Sequence, residues 1–274
     1  MTTNLWVVVP ALDEAENLMV VVPRIVTELA LLDVDGHVLV VDDGSTDKTR
    51  EVMVDLGERY PETHVISLGR NFGKASALRR GFDRALAEGA EIVVMMDADG
   101  QDDPAELPLL LARLEDGADL VTGARTVRND RFVKRTTSKL YNAATGRLSG
   151  APGKDFNSGF KVMRAEVARN ASPMLYGELH RYLTVVAHWL GFRVAEVSVQ
   201  HHERLHGTTK YGLARFWRGF VDLLTVRFLM TYESRPSHLF SGIGLAGVAA
   251  GGLAMTYLLV EKVSGEAIGG RPLL

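Results

Sequence analysis

The sequence predicts an α/β fold built on a mainly parallel sheet with helices on both faces. Two observations carry this. Across residues 5–123, short apolar runs alternate with segments of helical periodicity, and strands alternating with helices pair in parallel through helical crossovers. The apolar run Ile92-Val93-Val94-Met95-Met96 also drives without a break into Asp97-Ala98-Asp99-Gly100-Gln101-Asp102. A strand buried on both faces reads this way, and its polar end lies at the carboxyl edge where open α/β sheets bind ligands.

Each element follows in order. Strands are expected at residues 5–9, 38–41, 65–68, 92–96 and 120–122, and helices over 14–32, 46–59, 73–88 and 104–116. Asp13 with Glu16 reads as a capping box, and Thr46 as the cap of the second helix. Pro104 after Asp103 suits a first helical turn. Residues 124–139 change character, with six Lys/Arg against Asp130. They read either as a solvated face or as a basic segment that meets phosphates. Residues 213–232 are amphipathic: Arg215, Arg218 and Asp222 share one face, and Trp217, Phe220, Val221, Leu224 and Phe228 the other. Such a helix lies in a membrane interface. From Leu239 to Val260 no charge occurs, a stretch that spans roughly 33 Å as a helix and crosses a bilayer core. Its many glycines fit a membrane helix better than a buried soluble one. The closing Pro272-Leu273-Leu274 reads as the entry to a further apolar segment, so the chain is expected to be truncated. The expected domains are 1–212 catalytic, 213–236 juxtamembrane and 237–274 membrane-spanning.

Composition narrows the function. The 274 residues carry a net charge of −3, which disfavours a nucleic-acid partner. No cysteine is present, so disulfides and thiolate-bound metals are excluded. The N-terminus lacks a basic stretch followed by an apolar one, so no cleavable signal is expected. No G-x-G-x-x-G follows a strand and no G-x-x-x-x-G-K-[ST] occurs, which argues against a Rossmann oxidoreductase and a P-loop NTPase.

The polar strand ends carry the chemistry. Asp97 and Asp99 offer hard oxygen ligands of the kind that Mg²⁺ or Mn²⁺ prefers beside a substrate's phosphates. Asp42-Asp43-Gly44-Ser45-Thr46-Asp47 ends the second strand, where carboxylates can accept from a base N–H or ribose hydroxyls.

Taken in order, VVPALDEAEN, VVDDGSTD, GRNFGKASALRRGF and MMDADGQDDP resemble the GT-A fold of family 2 glycosyltransferases. DFNSGFK from Asp155 and RLHGTTKY from Arg204 resemble the branch that glycosylates polyprenyl phosphates, which includes dolichyl-phosphate mannose synthases and bacterial undecaprenyl-phosphate glucosyl- and aminoarabinosyltransferases. The resemblance covers residues 5–260. It implies nucleotide-sugar contacts at Pro10, Glu14, Asp42, Asp43, Asp97 and Asp99. It also implies a metal, Mg²⁺ or Mn²⁺, at Asp97, Asp99 and Gln101, and acceptor-phosphate contacts at Arg125, Arg131, Arg204, Thr209 and Lys210. Asp99 and Asp155 are the catalytic candidates. Asp155 acts either as base or positioning group, or merely caps a turn. His180-Arg181 resembles a subset of the bacterial enzymes. Two features depart from the wider pattern: no Q-x-x-R-W of polymerising synthases occurs, and Glu203 stands before Arg204.

The expected activity is metal-dependent, inverting transfer of a sugar from a nucleotide-diphosphate sugar to a polyprenyl phosphate. Transfer to another lipid or glycan acceptor is the alternative. A sugar-phosphate nucleotidyltransferase would need a G-x-G-T-R-like loop that is missing, and a non-catalytic nucleotide-binding adaptor would not need the D-x-D. Expected partners are the donor, the acceptor and membrane lipid, with homo-oligomers possible through membrane-proximal helices. Arg227 and Arg235 precede the span, while Lys262 and Arg271 follow it. The expected location is the inner membrane, with the catalytic part facing the cytoplasm.

Overall fold

A computed structural model describes residues 2–125, 145–147, 149–202 and 236–265, with isolated helical positions between 221 and 231. The chain divides into two compact units, residues 1–224 and 225–274.

The first unit is a seven-stranded sheet in the order β3-β2-β1-β4-β6-β5-β7. Its strands are β1 (Thr3–Ala11), β2 (Val34–Asp42), β3 (Thr63–Ser67), β4 (Ile92–Met95), β5 (Leu120–Arg125), β6 (Lys161–Arg164) and β7 (Val194–Val199). All pairings are parallel except those of β6, which runs antiparallel to β4 and β5. The five expected strands are present. β6 and β7 extend the sheet beyond the sequence reading.

The helices are α1 (Ala15–Leu31), α2 (Thr49–Arg59), α3 (Lys74–Ala87), α4 (Leu107–Glu115), α5 (Ala165–Ala171) and α6 (Leu183–Trp189). Alternation along β1 sorts them onto two faces. Leu5, Val7 and Val9 pack with the apolar faces of α1, α2 and α4. Trp6 and Val8 pack with those of α3, α5 and α6. Fully burying one such Val, Leu or Phe contributes about 1.5–3 kcal/mol, so the two layers fix the strand order firmly.

Two caps differ from expectation. Asp13 does not cap α1. It adopts a left-handed φ of 55°, and its Oδ1 accepts from the Thr46 amide at 2.9 Å. That bond joins the β1 and β2 loops and leaves α1 to begin after Glu14, without a side-chain cap. Thr46 is therefore spent on Asp13, and Asp47 accepts from the Thr49 amide at 2.9 Å to start α2. Pro104 opens a short 3₁₀ turn (Pro104–Glu106) ahead of α4, as expected of a first-turn proline, and Asp103 accepts from the Ala105 amide at 3.1 Å.

The second unit contains α7 (Pro236–Val263). Its Phe240–Val263 stretch has mean hydropathy 1.9. By length and composition it is long and apolar enough to cross a membrane. The amphipathic segment before it lies largely outside the described residues.

Candidate active site

Strands β2, β1 and β4 are adjacent and parallel, so their carboxyl ends share one edge of the sheet. After β1 the chain builds β2 and β3 on one side and then returns to place β4 on the other. Open α/β sheets bind ligands at such a reversal, and Ala11, Asp42 and Met95 end the strands on either side of it.

Backbone–side-chain bonds lace the β1 and β2 ends together. Asp13 donates from its amide to Ser45 Oγ at 2.9 Å, and Glu14 from its amide to Thr49 Oγ1 at 2.9 Å. The Asp43 amide donates to the Ala11 carbonyl at 2.9 Å. Pro10 sits within β1 opposite Val41 and keeps the rim extended. Glu14 accepts from Asn17. The Asp42 carboxylate is fully buried. Its Oδ1 accepts from the Ser45 amide at 2.8 Å, while Oδ2 has no hydrogen-bond partner and lies 3.6 Å from the Arg50 guanidinium. A buried acceptor in this state needs an explanation, and an incoming donor group supplies one.

Asp43 does different work. Its two oxygens accept from the Phe72 and Gly73 amides, each at 2.8 Å, which pins the loop before α3. Gly44 has φ +76°, and a Cβ there would lie 2.3 Å from the Arg70 backbone. The glycine lets the DDGS turn dock on that loop.

At the β4 end, Asp97 Oδ1 pairs with Lys74 Nζ at 2.5 Å. Lys74 opens α3. Burial pushes the Asp97 carboxyl up, but the Lys74 ammonium more than offsets this and holds it below the usual carboxylate value. Asp99 is buried and accepts from the Gln101 amide at 3.1 Å. The Gln101 carboxamide donates to the His202 carbonyl at 3.4 Å, so only its oxygen could face a cation. His202 in turn bonds Asp103 at 2.7 Å, and Asp103 pairs with Arg24 at 2.8 Å. These contacts stitch residues 99–103 to the end of β7.

No group of three or more metal-binding His, Asp or Glu side chains converges among the described residues. Two carboxylates at one strand end still fit Mg²⁺ or Mn²⁺, which are usually held by one or two carboxylates with substrate phosphates and water.

The remaining charged groups cluster behind Asp97. Asp155 is buried and takes a two-pronged fork from Arg125, Nε at 2.6 Å and Nη2 at 2.8 Å. Burial lowers the Arg125 pKa, but Asp155 more than compensates and raises it. Lys161 is fully buried. Burial, aided by Arg125 and Lys74, brings its pKa down to about 8. His180 is buried with Nδ1 unpartnered. Burial first, then Lys74 and Arg181, drive its pKa well below 6.5, so it is neutral at pH 7. Gly159 lies directly on Asp97, where a Cβ would fall 2.6 Å from the carboxyl carbon.

The structure thus brings Pro10, Glu14, Asp42, Asp43, Asp97 and Asp99 to one edge and joins Arg125 to Asp155. Arg131, Arg204, Thr209 and Lys210 lie outside the described residues. Sequence reasoning gave no role to Lys74, Gly159 or Lys161, although each stands inside a motif it had singled out.

A model of the family described as glycosyl transferase family 2 matches residues 6–171, a stretch that includes the ends of β1, β2 and β4. The chain belongs to this family. As a family 2 member it is a glycosyltransferase. It is 33% identical over 280 residues to dodecaprenyl-phosphate galacturonate synthase of Rhizobium johnstonii, covering 99% of this chain and 80% of that one. It is 29% identical to undecaprenyl-phosphate 4-deoxy-4-formamido-L-arabinose transferase of Photorhabdus laumondii, covering 96% and 78%. Among solved structures it resembles Mycobacterium tuberculosis glucosyl-3-phosphoglycerate synthase in complex with Mn²⁺, UDP-glucose and phosphoglyceric acid. That likeness has TM-score 0.63 and 23% identity, covers 82% of this chain and 79% of the other, and bears on the GT-A-like fold.

Proposed function

We propose that this glycosyltransferase moves a sugar from a nucleotide-diphosphate sugar to a polyprenyl phosphate at the cytoplasmic face of the inner membrane. The observation that carries the reading is the extent of the match to the galacturonate synthase, which runs through both the catalytic edge and the apolar helix.

The donor's nucleoside lies on the β1 and β2 ends, with Glu14 and the Asp42 oxygen that accepts no hydrogen bond from the described residues as acceptors for its N–H or hydroxyl groups. Asp43 acts indirectly by holding the loop beside it. Asp97 and Asp99, with Gln101, hold a divalent cation, Mg²⁺ or Mn²⁺. Bound there with the diphosphate, the cation would offset charge on the leaving group. Lys74 adds a second positive charge at the same point.

The nucleophile is the lipid monophosphate. A phosphate monoester with a second pKa near 6 is already largely anionic at neutral pH, so a strong base is not required. Asp155 is tied by Arg125 and orients the acceptor side of the site. Displacement from the face opposite the diphosphate inverts the anomeric centre. Arg125, Arg131, Arg204, Thr209 and Lys210 gather the acceptor phosphate, with the arginines suited to forked contacts. Residues 1–212 form the catalytic domain, and α7 anchors it beside its lipid substrate.

A donor screen tests this. Purified full chain in detergent is heated with UDP-, GDP- and dTDP-sugars in the presence of Mn²⁺. One nucleotide class raises Tm, and label from that sugar enters the organic phase only with polyprenyl phosphate. Stabilisation by no nucleotide sugar would overturn the proposal.

A further inference from the structure

Residues 153–160 form the loop that enters β6, and it carries both Asp155 and Gly159. Two charged side chains outside the proposed chemistry grip this loop. Glu196 of β7 accepts with Oε2 from the Lys154 amide at 2.5 Å and the Asp155 amide at 3.0 Å. The turn is packed so closely that a Cβ on Gly153 would fall 3.1 Å from the same oxygen. Lys161, the first residue of β6, donates from Nζ to the Phe156 carbonyl at 3.3 Å and to the Ser158 carbonyl. Among the described residues neither side chain hydrogen-bonds anything outside the loop.

The placement links the two halves of the site. Lys161 is paired with Met95, two residues before Asp97. Glu196 is paired with Thr122, three residues before Arg125. A buried charge is costly unless it is hydrogen-bonded, and charge-assisted bonds are roughly twice as strong as neutral ones. An anion on N–H groups and a cation on C=O groups therefore fix one loop conformation more tightly than neutral residues could.

We infer that Glu196 and Lys161 are positioning residues that hold this loop so that Asp155 meets Arg125 while Gly159 seats the Asp97 carboxylate. The inference rests on the transferase reading above.

The test uses full-length Glu196→Gln in detergent. Deuterium exchange over residues 150–160 is read beside kcat, donor KM and Tm, both for transfer to polyprenyl phosphate and for slow donor hydrolysis. Exchange at the Lys154 and Asp155 amides should quicken about tenfold, reflecting the loss of an ionic acceptor. The kcat should fall roughly 10–100-fold, as small misplacements in a site do. Donor KM should change much less than kcat, because the nucleoside contacts on the β1 and β2 ends are untouched. Lys161→Met should lower kcat likewise, and the double variant should be little worse than the poorer single one, since both hold the same loop. Glu196→Asp keeps the charge but draws it back by one methylene, and it takes the same test if Glu196→Gln does not fold. Unchanged exchange, or faster exchange with wild-type kcat, would overturn the inference. A wild-type enzyme inert toward polyprenyl phosphate would overturn the acceptor assignment instead, and exchange with donor hydrolysis would still decide the loop.

Discussion

Gly159→Ala is the sharpest single-atom probe of the site. The added Cβ would sit 2.6 Å from the Asp97 carboxyl carbon and 2.7–2.8 Å from its oxygens. Ordinary contact begins at 3.4 Å, so the carboxylate must retreat by about 0.8 Å, and overpacking of this kind costs about 1–3 kcal/mol. The retreat also pulls Asp97 from Lys74, now 2.5 Å away. A displacement near 1 Å in a catalytic constellation lowers rate by roughly 10²-fold. The assay is initial transfer rate against donor concentration, with Tm measured beside it. Gly57→Ala is the control, since its Cβ would meet nothing closer than 3.5 Å and a helix gains from alanine. Gly159→Ala should lose about two decades in kcat while Gly57→Ala stays near wild type. Wild-type kcat in Gly159→Ala would refute the claim that this glycine sets the Asp97 carboxylate.

Three further outcomes follow from the same geometry. Asp43→Ala removes an ionic partner from the Phe72 and Gly73 amides, worth about 1.5–3 kcal/mol for a charged hydrogen bond; Tm should drop and exchange over residues 69–73 should rise, with unchanged exchange arguing against the clamp. Lys161 has a folded pKa of about 8, below the ordinary lysine value of 10.5, so between those values the unfolded chain binds more protons and stability rises with pH. The stability of wild type should therefore gain on that of Lys161→Met from pH 8 to 10.5, by up to about 3 kcal/mol at 1.36 kcal/mol per unit, read as a growing Tm difference, and a constant difference would contradict the buried ammonium. Removing residues 237–274 should release the protein from carbonate-washed membranes, whereas continued sedimentation would show that the anchor lies elsewhere.

Much of the fold was legible because local pattern decided it. Continuous apolar runs at β1, β2 and β4 leave little alternative to parallel strands buried on both faces. β6 was not legible: Lys161-Val162-Met163-Arg164 is short and bounded by charge, and only its slot between β4 and β5 makes it a strand. β7 is an edge strand of middling burial, so its pattern is weak. Asp13 followed a local capping rule that lost to a longer-range bond with Thr46. The D-x-D was visible from its position after β4. Its supports were not, because Lys74 and Gly159 meet Asp97 across 23 and 62 residues of chain, and sequence periodicity carries no signal for such partners. Likewise Asp155 was visible, but the Arg125 fork that restrains it is a product of the fold.

The most direct measurement of the central claim compares wild type with Asp99→Asn in sugar transfer to polyprenyl phosphate, each with Mn²⁺ and with EDTA. Wild type with Mn²⁺ should yield labelled lipid, and EDTA should abolish it. Asp99→Asn should fold normally and lose on the order of 10²–10³ in rate, the usual cost of removing one electrostatic stabiliser. Equal lipid labelling by both proteins, or undiminished labelling in EDTA, would contradict the assignment of the β4 carboxylates to the reacting diphosphate.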